Sequence, residues 1–168
     1  MELLVSELAI ILIQQNSVLL TAESCSGGWL SKYCTDMPGS SAWFEGGVVS
    51  YSDTLKHTIL KVPVNTLETK GAVSEATAEA MALGACRLTR GAKNRFGISI
   101  TGIAGPGGGS KDKPVGTVCF AWVRRGDDDT PQVLKSETRF FVGDRNDIRM
   151  QSVQHALNKM VKILRSDE

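Results

Sequence analysis

Val18-Leu19-Leu20-Thr21-Ala22-Glu23-Ser24-Cys25-Ser26-Gly27-Gly28-Trp29 is the stretch on which the fold of this chain turns. A short apolar, β-leaning run ends in small hydroxyl residues and a glycine pair, and helix-compatible residues follow. That order spells a buried strand feeding a tight turn and then a helix. Small side chains let the backbone approach a ligand, and the free N–H groups of a first helical turn can hold an anion or an oxyanion. Ser24 stands where a nucleophile would use those N–H groups. The same residues also read as a helix N-cap serine followed by glycines that serve packing, because strand–glycine–helix turns are common.

Working outward, Glu2 to Gln15 is rich in Leu and Ile and predicts a helix, and Ser17 to Ala22 predicts a strand apolar enough to be central in a sheet. Gly28 to Thr35 predicts a short helix, broken by Met37-Pro38-Gly39-Ser40-Ser41. Trp43 to Tyr51 reads as a strand in which Gly46-Gly47 marks a bulge or a close backbone approach. Ser52 is an N-cap and Asp53 puts negative charge in the first turn of a helix to Leu60 that carries Lys56 and His57. Asn65 to Lys70 predicts one more short helical turn. Ser74 caps a long Ala-rich helix to about Arg90, with Gly91 as its stop.

The second half alternates less. Phe96 to Thr101 predicts a strand, Gly102 to Gly109 a glycine-dense loop, and Val115 to Val123 another strand. Arg125 to Thr130, with Gly126-Asp127, predicts a hairpin turn into a partner strand from Val133 to Val142. Asp144 caps a final helix from Arg145 to Leu164. Helices thus separate the early strands while the last two strands pair directly. This pattern predicts a three-layer α/β/α sandwich with a mixed central sheet. With no internal repeat or linker, residues 1–168 are expected to form a single domain. Ligands of such sheets bind beyond the carboxyl ends of parallel strands. The Ser24 turn, Tyr51 and the Thr101–Gly109 loop each follow a strand, and parallel strands would bring all three to one edge.

Composition narrows the function classes. Apolar residues make up 42% and charged residues 22%, ordinary for a globular protein, and 19 basic against 18 acidic residues leave a net charge of +1. That balance carries no footprint for nucleic acid. No apolar span of about 20 residues is present, and the N-terminus lacks a charged, cleavable leader, so a cytoplasmic protein without membrane association is expected. The four cysteines, Cys25, Cys34, Cys86 and Cys119, form no CxxC pair, and His57 and His155 are the only histidines that could join them. Zinc-ligand spacing is missing and free thiols are expected. Cys25, beside Ser24, is either a reactive thiol or a small buried residue.

A serine nucleophile needs a base. His155 lies mid-helix near the C-terminus and reads as a packing residue. His57 diverges from Lys56 by about 100° around a helix, so one of the two at most aims at Ser24. Lys56 is preferred: at a helix entrance and buried, its pKa would fall from about 10.4 toward about 7–8, a shift worth about 4 kcal/mol. Tyr51 could relay a proton or hold the lysine by hydrogen bonding. Spacing alone equally allows Lys56 to be a solvated helix lysine. Arg145 and Arg149, one turn apart, can form a forked pair for phosphate or carboxylate, or a surface pair balancing Asp144 and Asp147. The Gly102–Gly109 loop could cradle phosphate but lacks the P-loop order, and no dinucleotide fingerprint occurs.

Several motifs together resemble a known family. They are Thr21-Ala22-Glu23-Ser24-Cys25-Ser26-Gly27-Gly28, Gly39-Ser40-Ser41-Ala42-Trp43-Phe44, Tyr51-Ser52 with Lys56, and Gly71-Ala72-Val73-Ser74. Thr101-Gly102-Ile103-Ala104-Gly105-Pro106, Lys113-Pro114-Val115-Gly116-Thr117-Val118 and Gly143-Asp144-Arg145 follow in order, so nearly the whole chain is covered. The chain resembles the CinA C-terminal domain family. The resemblance implies a Ser/Lys amidohydrolase on the carboxamide of nicotinamide mononucleotide, with Ser24 as nucleophile, Lys56 as general base and Tyr51 assisting. N–H groups of Cys25, Ser26, Gly27 and Gly28 would stabilise the oxyanion, while Thr101, Gly102, Gly105, Arg145 and Arg149 would seat the substrate. No metal or cofactor is implied. Ser26 departs from the threonine of the deamidase form of the motif, a change that keeps the hydroxyl.

The resemblance also implies a homodimer, for which Trp29, Trp43 and Phe44 could supply apolar contacts or simply core packing. Larger family members carry an additional N-terminal domain, so any pyrophosphatase activity tied to it is expected to be absent from this chain. Two alternatives stand beside the leading one: a Ser/Lys hydrolase acting on another small amide or ester, and a non-catalytic nucleotide-binding regulatory module.

Overall fold

Five strands stand side by side in the order β2-β1-β3-β4-β5 in the computed structural model, which describes residues 1–89, 94–126 and 129–166. They are β1 (Ser17–Glu23), β2 (Phe44–Val49), β3 (Asn94–Gly102), β4 (Thr117–Arg125) and β5 (Pro131–Phe140). Strand β1 runs parallel to both β2 and β3, whereas β3–β4 and β4–β5 are antiparallel. Among the described residues six helices flank the sheet: α1 (Glu2–Gln14), α2 (Trp29–Thr35), α3 (Asp53–Thr58), α4 (Val64–Lys70), α5 (Glu75–Cys86) and α6 (Arg145–Ser166). The sandwich with a mixed sheet expected from the element order is the fold observed.

Apolar residues on both faces of the central strands explain the layering. Leu19, Phe96, Ile98, Ile100, Val118, Phe120 and Trp122 share a core with residues of α1, α2 and α6. Their neighbours Val18, Leu20, Ala22, Cys119, Ala121 and Val123 pack against the alanines and Met81 of α5. Each large apolar side chain buried this way contributes about 1.5–3 kcal/mol. The α5 face is lined by small residues, and contact there is close: a Cβ on Gly84 would meet the Leu60 carbonyl oxygen at 2.0 Å. Ser99 Oγ donates to the Ala78 carbonyl oxygen at 2.6 Å on the same face, which satisfies a buried hydroxyl.

Caps hold where the sequence places them. Ser52 Oγ accepts from Leu55 N–H at 3.2 Å, and Ser74 Oγ accepts from Thr77 N–H at 3.2 Å. Asp144 Oδ1 accepts from the N–H groups of Asn146 and Asp147 at 2.7 and 2.9 Å. Other boundaries move. Trp43 is not a strand residue: it is fully buried, it follows a 3-10 turn at Ser40–Ala42, and its carbonyl accepts Leu19 N–H at 2.7 Å. Helix α5 ends at Cys86, not near Arg90, because Arg87 and Leu88 switch to the carbonyls of Gly84 and Ala85 and tighten the last turn. Strand β4 starts at Thr117, after Gly116 at φ +99°, and β5 spans Pro131–Phe140, two residues earlier than Val133–Val142 at each end. Arg90, Gly91 and Asp127 lie outside the described residues.

Gly46-Gly47 shows both features expected of it. Register slips between Leu19↔Phe44 and Leu20↔Gly46, leaving Glu45 as the extra residue of a bulge. At Gly47 an added Cβ would sit 2.1 Å from Ser31 Oγ and 2.2 Å from Thr21 Oγ1, so strand and helix meet there without a side chain between them. No helix among the described residues is long and apolar enough to cross a membrane.

Candidate active site

The parallel strands β1, β2 and β3 deliver their carboxyl ends to one edge, and the main chain ties those ends together. Ser24 N–H donates to the Ile100 carbonyl at 2.9 Å, and Ser50 N–H donates to the Glu23 carbonyl at 2.8 Å. Ser24, Ser50 and the start of α3 are thereby fixed relative to one another before any side chain is considered. Lys56 then reaches back under the strand ends. Its Nζ stands 3.1 Å from Ser24 Oγ, 3.0 Å from the Ser50 carbonyl oxygen and 2.9 Å from the Tyr51 carbonyl oxygen.

Lys56 is 1% exposed and Ser24 is 7% exposed, so the solvated-lysine reading is excluded. Burial pushes the Lys56 amine below the usual lysine value, with Asp53, 3.9 Å away, and Cys25 acting in the opposite direction. The helix-entrance argument does not contribute as expected. Helix α3 has six residues, and Lys56 falls in its last turn. A neutral amine has two N–H donors and one lone pair. The carbonyls of Ser50 and Tyr51 match the donors, and the lone pair then faces the Ser24 hydroxyl. Protonated, the same amine donates to all three oxygens.

The turn after Ser24 is pinned at nearly every polar atom. Glu23 is completely buried. Its Oε2 accepts from Ser26 Oγ at 2.8 Å, Gly28 N–H at 3.0 Å and Leu30 N–H at 3.1 Å. Its Oε1 accepts from Ser31 N–H at 2.8 Å and Ser31 Oγ at 2.7 Å. Gly27 N–H donates to the Ser24 carbonyl at 3.1 Å. Of the four N–H groups expected to face a substrate, those of Gly27 and Gly28 are thus occupied, and those of Cys25 and Ser26 have no acceptor in another residue among the described residues, the Cys25 amide facing its own thiol. Cys25 itself is buried, which pushes its thiol up to about 12, an effect its own backbone amide partly offsets. It is a small buried residue rather than a reactive thiol.

Two arginines close the mouth from α6. Arg149 lies over the Trp29 ring, with its guanidinium carbon 4.0 Å from the ring centroid, and donates to the Ser26 carbonyl at 2.9 Å. Arg145 donates to the Gly105 carbonyl at 2.6 Å and its other terminal nitrogen stands 3.5 Å from Tyr51 Oη. The first N–H groups of α6 are taken by Asp144, so an anion here would meet guanidinium groups rather than a bare helix end. Beside Arg145 opens a cavity of about 550 Å³ lined by Ala104, Pro106, Val115, Gly143, Asp144 and Asn146.

Other candidates sit differently. Tyr51 meets Lys56 through its main-chain carbonyl, while its phenol is exposed. Thr101 is buried and donates its hydroxyl to the Ala72 carbonyl at 2.8 Å. Gly102 backs onto β4, where a Cβ would meet the Thr117 carbonyl oxygen at 2.7 Å. Both hold the frame behind the mouth. His57 turns to the Val62 carbonyl, and His155 packs among Phe120, Trp122 and Phe141 with Nε2 2.6 Å from Glu137 Oε1. Sequence reasoning missed Glu23 and Ser50. An acid ending an otherwise apolar strand, just before Ser-Cys-Ser-Gly-Gly, was the available signal for Glu23. No group of three His, Cys, Asp or Glu side chains able to hold a metal occurs among the described residues.

A three-layer α/β domain with a buried serine–lysine pair at the carboxyl ends of parallel strands is the class this geometry defines. The chain belongs to the CinA C-terminal domain family, whose model matches residues 1–164. It is 44% identical over 147 residues to the nicotinamide-nucleotide amidohydrolase PncC of Escherichia coli (strain K12), covering 87% of this chain and 84% of that one. It is 45% identical over 148 residues to PncC of Pseudomonas putida, covering 88% and 87%. The crystal structure of a CinA superfamily protein from Klebsiella pneumoniae superposes with a TM-score of 0.87 at 35% identity, over 98% of both chains.

Proposed function

We propose that this chain is a nicotinamide-nucleotide amidohydrolase, converting nicotinamide mononucleotide and water to nicotinate mononucleotide and ammonia in pyridine-nucleotide recycling. The observation that carries the reading is Ser24 Oγ at 3.1 Å from the buried Lys56 amine, whose other hydrogen bonds go to two main-chain carbonyls. The identity to the two PncC relatives supports the substrate.

The steps follow from this chain's own groups. Lys56, neutral, takes the Ser24 proton as Oγ attacks the carboxamide carbon. The oxyanion that forms accepts from the N–H groups of Cys25 and Ser26. Lys56 returns the proton to the amide nitrogen, the C–N bond breaks, and ammonia leaves an ester on Ser24. Water, giving its proton to Lys56, attacks that ester, and Ser24 Oγ departs with the proton to leave the carboxylic acid. Removing an oxyanion donor in such sites costs about 10²–10³ in kcat. Arg145, with the cavity beside it, and Arg149 hold the phosphoribosyl part, to which guanidinium groups are suited. The chain acts in the cytoplasm as a single-domain homodimer.

Ammonia release from nicotinamide mononucleotide by the purified chain, with Ser24→Ala alongside, tests the reading. Release that vanishes in Ser24→Ala is the expected result. Binding without release would overturn it in favour of a regulatory binding module, and release from other small amides alone would overturn the substrate.

A further inference from the structure

Glu23 presents a carboxylate to five donors and to no Lys, Arg or His partner among the described residues. Three of those donors, the N–H groups of Gly28, Leu30 and Ser31, belong to the start of α2. A helix start left open would offer the same N–H groups to an incoming anion. In this chain they are already used, and used from behind the turn, by a side chain that water does not reach.

The remaining contacts act on the adjoining residues. Ser26 is held by its hydroxyl on Glu23 and by its carbonyl under Arg149. Ser24 is held by its N–H on Ile100 and by its carbonyl under Gly27 N–H. What the network leaves open is the pair of N–H groups directly after the nucleophile. Each oxygen of Glu23 faces donors only, so an amide in its place would set its NH₂ against other N–H or O–H groups.

We infer that Glu23 is a positioning residue for the reaction: by occupying the N–H groups that begin α2 and anchoring Ser26, it leaves the Cys25 and Ser26 N–H groups as the oxyanion pocket. The inference rests on the amidohydrolase reading for its chemistry, while the occupancy of the helix start can be measured independently of it.

The test uses pyridine-3-boronic acid, whose boron accepts Ser24 Oγ as the hydroxyl proton passes to Lys56, giving a tetrahedral anion. In the native chain, amide NMR is expected to show Gly28, Leu30 and Ser31 protected from hydrogen exchange before the probe is added. On adduct formation the Cys25 and Ser26 amide protons move downfield and become protected. In Glu23→Gln, kcat is expected to fall about 10²–10³-fold and boronate affinity to fall in parallel, with KM and the ascending limb of the pH profile set by Lys56 little changed. A purely structural role would lower the melting temperature without this split between kcat and KM. Glu23→Asp, one methylene too short to span from Ser26 to Ser31, is expected to lose activity as well.

A folded Glu23→Gln with native kcat and boronate affinity would overturn the inference. So would an adduct that leaves Cys25 and Ser26 unmoved, or free exchange at Gly28 and Leu30 in the unliganded chain. The NMR arms need no variant, so a misfolded Glu23→Gln does not decide the matter. A native chain that releases no ammonia sinks the amidohydrolase reading instead, and the exchange pattern at the helix start then still reports on the role of Glu23.

Discussion

Arg149 lies over the Trp29 ring and from that position donates to the Ser26 carbonyl at 2.9 Å, linking two residues 123 positions apart in the sequence. The last helix therefore holds the turn formed by the first strand and the second helix. Arg149→Lys keeps the charge but loses the planar fork and the stack. A hydrogen bond to a charged group is worth about 1.5–3 kcal/mol, so kcat/KM is expected to fall about 10- to 100-fold. Steady-state kinetics on nicotinamide mononucleotide check this; a value within twofold of native would show that the clamp is dispensable.

Lys56→Met keeps the buried chain length and removes the base. Activity is expected to drop about 10²–10⁴-fold, the usual contribution of a positioned acid–base group, with little loss of folded protein. A histidine-based mechanism would instead leave most of the activity in place.

The pH profile should carry the sign of Lys56's environment. Its amine titrates below the ordinary lysine value of 10.5, so kcat/KM rises with pH as the amine is deprotonated, along a limb centred below that value. Asp53 opposes the shift, and Asp53→Asn is expected to move the limb toward acid. Stability follows the same group. Because the folded state disfavours the ammonium, stability is lost as pH falls from the unfolded lysine value through the folded one, and is flat below. Urea titrations of native and Lys56→Met protein between pH 7 and about 10.5 measure that difference; Lys56→Met should lose the slope.

Gly47→Ala introduces a methyl group against Ser31 Oγ and Thr21 Oγ1. A destabilisation of about 1–3 kcal/mol is expected from such overpacking, and activity should fall with it because Ser31 is also a donor to Glu23. Chemical denaturation gives the first quantity and ammonia release the second. Retention of native stability would mean that the strand and helix can separate at no cost.

All four cysteines are buried, and burial pushes the thiols of Cys25 and Cys86 up to about 12. A disulfide reagent at pH 8 is expected to leave the native chain unlabelled and active while titrating all four thiols in guanidinium. Rapid inactivation protected by substrate would show instead that Cys25 is accessible from the site.

Most of the architecture was legible because period and punctuation agreed. The apolar run Val18–Ala22, the caps Ser52, Ser74 and Asp144, and the direct pairing of the last two strands each had a local cause. Ser24 and Lys56 were legible as candidates, but what brings them within 3.1 Å is the parallel register of β1 with β2, which no local pattern encodes. The same limit applied to Thr101, whose hydroxyl is taken by a carbonyl in a distant loop. At Gly27 and Gly28 the glycines correctly signalled a tight turn. Which of the N–H groups stayed available depended on where the Glu23 side chain went, and a buried carboxylate reaching over eight residues is a tertiary fact.

The direction of the strands also divides the molecule into two poles. Gly102 pairs with Val118 at the Ser24 end, and Arg95 pairs with Arg125 at the other, so β4 carries the chain away from the reacting groups and β5 brings it back. The strand ends that this connection joins, Arg125 and Pro131, stand at the pole away from Ser24 and Lys56. For protein engineering this makes the β4–β5 connection the natural place to graft a reporter, an affinity handle or a partner module. A chain lengthened there would keep its chemical pole unaltered.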